Sequence, residues 1–195
     1  MTPEELAGVR ARLEEFAAEM FVPLPRCDQR DKAQTYLRGL LLDGRRKSMQ
    51  PMGERLGVDY QGLQQFVTSS TWEVAPVRER LATRAVEVIG PAAWVVDDTG
   101  FVKDGTASPG VARQYSGSLG KVGNCQVGVS VSAVTDSASC PLDWRLFLPE
   151  SWDDTAAAVA ADGERAAAVR ARRTHAGIPA EERHRPKWAL ALDML

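Results

Sequence analysis

Two adjacent acids, Asp97 and Asp98, follow the apolar run that opens WVVDDTGF, residues 94–101. Carboxylates in this setting suit two purposes. They can end a strand in a turn, or they can hold a hard divalent cation such as Mg2+, which takes oxygen ligands and keeps several of its waters. Neighbouring residues on a strand point to opposite faces, so only one of the pair can serve a given site. The residues alone leave both readings open. Other chemistries are poorly supplied. The chain has two histidines, His175 and His184, and three widely spaced cysteines, Cys27, Cys125 and Cys140, with no C-x-x-C pair. That speaks against a disulfide framework, a zinc site and a histidine-based catalytic constellation. Cys125 and Cys140 read as small buried hydrophobes.

A second chemistry-bearing stretch lies earlier. Residues 26–56 hold eight Lys/Arg against four Asp/Glu, densest at Arg45, Arg46 and Lys47, although the whole chain has a net charge of −2. A local basic patch suits phosphate contacts as well as a solvated, ion-paired helix face. Directly after it, short helices are expected over 51–56 and 60–68, joined at Gly57-Val58-Asp59. Gly57 can end the first in the left-handed conformation and Asp59 can cap the second. This is a helix-turn-helix pattern. Its second helix would turn Gln61, Gln64 and Gln65 outward, where glutamine can read adenine, and Leu63, Phe66 and Val67 inward. Ser69, Ser70 and Thr71 are candidates for phosphate bonds. A plain helical hairpin with a polar surface has the same signature.

The elements that must position these residues follow from periodicity and punctuation. Helices are expected over 3–20, 28–42 and 77–88, and Gly90–Pro91 marks a domain boundary, giving regions 1–90 and 91–195. Beyond it, AAWVVDD reads as a fully buried strand. CQVGVSVSAVTD alternates as a second strand and LDWRLFLP forms a third, in an antiparallel meander. Residues 155–173 are helical by composition, PESWDD reads as a loop whose acids sit at that helix's N-terminus, and Pro186 starts a last helix. Tyr115 and Trp144 read as core or interface residues. The fold class is therefore α+β, all-α first and sheet second. At 195 residues, 44% hydrophobic and 26% charged, the composition is that of a globular protein. The absence of a signal-like start or an apolar run of about 18–20 residues leads to the expectation of a cytoplasmic protein without membrane association.

Three segments carry a resemblance: RRKSMQPMGERLGVDYQGLQQFVTSSTW, VVDDTGFVKDGTASPGVARQYSGSLGKVGNCQVGVSV and CPLDWRLFLPESWDD. Together they resemble bacterial insertion-sequence transposases with a DDE superfamily endonuclease domain. The resemblance implies a ribonuclease-H-like fold and a catalytic Asp-Asp-Glu triad whose first acid lies in DDTG. Asp98 is favoured for that role and as metal ligand, with Asp97 second. It further implies Mg2+ or Mn2+ as cofactor and double-stranded DNA as partner. The segment with Arg113, Tyr115, Lys121 and Asn124 would be a hairpin approaching the active site and DNA. The second Asp and the Glu of the family lie downstream of the KWALALDML helix, so an incomplete ribonuclease-H-like domain, unable to cleave alone, is expected. In such a domain AWVVDD would be an exposed edge, open to homo-oligomerisation or to association with a full-length transposase. A DNA-binding regulator of related transposases and a protein-interaction module are the competing expectations.

Overall fold

The computed structural model describes residues 2–195. It divides into two compact units at Thr83/Arg84, each considered by itself.

The first unit is helical. α1 (Pro3–Met20) starts from a capping box, with Thr2 and Glu5 exchanging bonds between side chain and backbone. α2 (Cys27–Leu41), α3 (Met49–Leu56) and α4 (Tyr60–Thr68) pack on one another. The turn between α3 and α4 follows the pattern expected from its residues. Gly57 takes φ 65° and ψ 33°, a left-handed conformation that costs glycine little. Asp59 accepts from the backbone of Gln61 and Gly62, satisfying donors that the start of α4 would otherwise leave open. Phe66 is buried with Leu24 and Ala33 and stacks on Trp72 at 5.3 Å between ring centroids. The buried amide of Gln29 ties α2 to the end of α4 by donating to Ser70 Oγ and to the Thr71 carbonyl. α5 (Ala75–Ile89) runs across the division between the units.

The second unit is built on a four-stranded antiparallel sheet. β1 (Ala93–Val102), β2 (Ala112–Ser116) and β4 (Ser139–Phe147) all pair with β3 (Lys121–Val134). The three expected strands are present, and β2 joins them through a tight turn at 117–120. It is short and lies in a Gly/Ser-rich stretch, which hides its alternation. β3 alternates as expected: Cys125, Val127, Val129, Val131 and Ala133 are fully buried on one face. On the other face Gly128 lies beneath Phe101 and Trp144, whose rings sit 3.4 and 3.6 Å from where a Cβ would stand.

β1 departs from the fully buried, turn-ended strand that its residues suggest and takes the exposed-edge alternative. It continues through Asp97 and Asp98 to Val102, so the acids lie mid-strand and form no turn. It is also not buried: Trp94 is 51% exposed and Val95 and Val96 are similar. The physical reason is pairing, since among the described residues β1 hydrogen-bonds to β3 alone. Tyr115 and Trp144 are likewise exposed, and Cys125 is buried while Cys140 is only partly so.

After the sheet come α6 (Ala157–Ala160), α7 (Gly163–His175) and α8 (Lys187–Leu192). The expected single alanine-rich helix is divided because Asp162 caps a new one, accepting from Glu164 and Arg165. The architecture is α+β, helices first and then an antiparallel sheet with helices, in keeping with a ribonuclease-H-like domain.

Candidate functional site

The register of the sheet decides how the two acids are used. Asp98 pairs with Val129, which pairs in turn with Arg145, so these three share the face on which β3 buries its valines. Asp97 pairs with Ser130 and points to the opposite face, with Trp144 and Phe101. α8 packs against β3 and β4. Its first residue, Lys187, brings its ammonium 2.6 Å from Asp98 Oδ2 and 5.4 Å from the centroid of the Phe147 ring. Asp97 instead accepts from the Asp98 backbone N–H at 2.8 Å. One acid is thus ion-paired across the fold, and its neighbour bonds locally.

The far side of this region is held by the PESWDD segment. Glu150 opens a single 3-10 turn (Glu150–Trp152), but Asp153 and Asp154 do not sit at the start of the alanine-rich helix as expected, and Asp154 is held by arginines. Asp154 Oδ1 lies 2.6 Å from Arg183 and 3.8 Å from Arg173, and its Oδ2 lies 3.1 Å from Arg170. Asp153 accepts from Thr155 and from the His184 backbone. Burial works to raise both carboxyls. For Asp153 the Thr155 and His184 hydrogen bonds overcome it, and for Asp154 the bonds from Arg183 and Arg170 do, so both are held below the usual range. Arg173, 4% exposed, donates to the carbonyls of Trp152, Pro179 and Glu182. Trp152 is fully buried, donates to the Val111 carbonyl at 2.7 Å and lies under Arg172. The network therefore fixes the segment that leads into α8. At the other end of α8, Arg185 pairs with Asp193. That hydrogen bond, with Arg145 adding its charge, holds the Asp193 carboxyl below its usual range.

In the hairpin, Arg113 lies opposite Asn124 on the Asp97 face and Lys121 lies on the Asp98 face. Asn124 donates to the carbonyls of Lys103 and Gly105, so its amide is occupied in holding a turn. In the helical unit, Gln61, Gln64 and Gln65 are exposed on α4. Val67, expected inward, is 46% exposed. Arg45 and Arg46 are exposed in the loop between α2 and α3, while the Lys47 ammonium donates to the Leu42 carbonyl at the end of α2. Ser70 accepts from Gln29 and Ser69 donates to Gln65, so both hydroxyls serve the fold.

Residues 19–195 match the family model described as DDE superfamily endonuclease. The chain belongs to this DDE endonuclease family. It is also 34% identical over 118 residues to a probable transposase for insertion sequence element IS701 from Microchaete diplosiphon, a stretch equal to 57% of this chain and 30% of that relative. The matched stretch therefore covers less than a third of that transposase's length. No solved structure matches it. The DDE family makes a carboxylate cluster the natural expectation, yet no group of three or more His, Cys, Asp or Glu placed to hold a metal ion occurs among the described residues. With Asp98 paired to Lys187 and Asp97 turned away, the residues present do not fit a two-metal site.

Lys187 is the residue that sequence reasoning missed. Its signal is positional: a cation in the first turn of a helix opposes the dipole, so it calls for an anionic partner elsewhere. Nothing in the local sequence says that the partner is Asp98. Among the described residues no helix is long and apolar enough to cross a membrane.

Proposed function

We propose that this chain is the DNA-handling part of a DDE transposase: residues 1–90 bind duplex DNA, and residues 91–195 present Asp98 as the first acid of the catalytic triad. The observation that carries the proposal is the placement of Asp98 on the face on which β3 buries its valines and α8 packs against β3 and β4, with Asp97 on the other. The family match supports the reaction class, which is cleavage and rejoining of DNA at element ends with Mg2+ or Mn2+. On this reading Gln61, Gln64 and Gln65 address base edges, and Arg45, Arg46, Arg113 and Lys121 address phosphates. Lys47 and Asn124 are engaged within the fold and contribute less.

The same reading holds that this chain does not cleave DNA by itself, because Asp98 stands as a single carboxylate with a lysine as its counter-ion. Incubation of the chain with supercoiled plasmid and Mg2+ or Mn2+ is expected to leave the plasmid intact. Nicking that disappears in Asp98→Ala would overturn this part of the proposal and strengthen the assignment of Asp98.

The exposed apolar edge of β1 favours self-association or pairing with a longer transposase. Concentration-dependent elution in size-exclusion chromatography is the expected sign, and a strictly monomeric profile at micromolar concentration counts against it. A chain that binds DNA without cutting it would occupy element ends, so repression of intact relatives is the alternative role.

A further inference from the structure

We propose that Lys187 is a phosphate-binding residue of the Asp98 site, held by Asp98 when DNA is absent and shared with a backbone phosphate when DNA is bound. The proposal rests on the reading of Asp98 as a carboxylate that meets DNA.

Distance comes first. The Lys187 ammonium lies 2.6 Å from Asp98 Oδ2, so any phosphodiester brought to Asp98 also comes within reach of it. Charge comes second. A phosphate and a carboxylate repel, and a cation between them reverses the sign of the encounter. The neighbouring cations are already engaged with other acids: Arg145 with Asp143, Arg183 with Asp154 and Arg185 with Asp193. Lys187 is the cation that faces Asp98 itself. Exposure comes third. The two side chains are 40% and 43% exposed, so the pair is open to a ligand and only weakly held. Exchanging part of that contact for a phosphate costs little. The Phe147 ring keeps the ammonium over the sheet as its partner changes. Position on the helix comes last. The first turn of α8 is a mildly unfavourable place for a cation on local grounds, which Asp98 offsets from outside the helix.

The test is the affinity of the full chain for a labelled DNA duplex, measured by fluorescence anisotropy across a salt series, with circular dichroism confirming that each variant is folded. Lys187→Gln is expected to weaken binding and reduce the log–log salt slope by about one. Lys187→Arg is expected to retain the slope. Asp98→Asn, which releases the ammonium, is expected to tighten binding by about two- to fivefold. The signature of a shared ammonium is that the gain from Asp98→Asn disappears in the Lys187→Gln background; a gain that persists there, as two independent charges would give, would overturn the proposal. An ion pair that merely fastens α8 to the sheet predicts that both variants change affinity alike and leave the slope unchanged, and that result would overturn the proposal. If the wild-type chain fails to bind duplex at low salt, the DNA reading itself fails and this one falls with it. The two failures are thus distinguishable.

Discussion

At Asp154 three guanidinium groups converge on one carboxylate, and beside it Asp153 accepts from Thr155 and a backbone N–H. Both carboxyls titrate below their usual range in the folded chain. The stabilisation they supply is therefore complete above the unfolded value of about 4 and is lost as pH falls through the lower folded values. Thermal melts between pH 7 and pH 2.5 should show the melting temperature dropping below about pH 4. Asp154→Asn should start lower and fall less steeply, while an unchanged pH profile would remove Asp154 from the account. Gly100 supports a second residue-scale prediction. A Cβ there would stand 2.5 Å from Ser116 Oγ and 2.8 Å from its Cβ. Ser116 is buried and cannot swing away, so Gly100→Ala should cost about 1–3 kcal/mol in chemical denaturation. A variant as stable as wild type would mean that the hairpin can shift off β1.

The elements differ in how far their own residues determine them. α3, its turn and α4 are the best case, because Gly57 and Asp59 act locally and every cue lies within a few residues. Asp59→Ala should therefore destabilise the helical unit by about 1 kcal/mol, measured by denaturant melts, with the main loss of order in α4. β1 is the opposite case. Its Val-rich run reads as buried on residue type, yet burial depends on what pairs beside the strand, and that is settled far away in the chain. Asp98 was legible as a chemical candidate from its type and its neighbours. Its face was not, since that follows from the register against Val129 and Arg145. The pairing with Lys187, 89 residues away, is a long-range fact that spacing does not encode. β2 follows only from the hairpin that the resemblance implies, because five residues flanked by Gly and Ser carry too short a pattern to show a strand by themselves. PESWDD reads locally as helix chemistry, whereas the arginines that claim Asp154 come from α7 and from the chain before α8.

At the scale of the whole molecule, the proposed DNA binding asks a chain with net charge −2 to meet a polyanion. That works only if charge is distributed, with cations exposed where DNA is approached and acids neutralised within the fold. Both conditions have residues behind them: Arg45 and Arg46 are exposed in the helical unit, while Asp153, Asp154 and Asp193 are paired internally in the other. Association with DNA should then depend steeply on salt despite the unfavourable net charge. The most direct measurement is the dissociation constant of the full chain for duplex DNA as a function of salt, beside an Arg45→Gln/Arg46→Gln double variant. Affinity is expected to fall linearly on the log–log plot, with the slope reduced by up to about two in the double variant. Binding absent even at low salt, or a slope that the double variant leaves unchanged, would contradict that expectation.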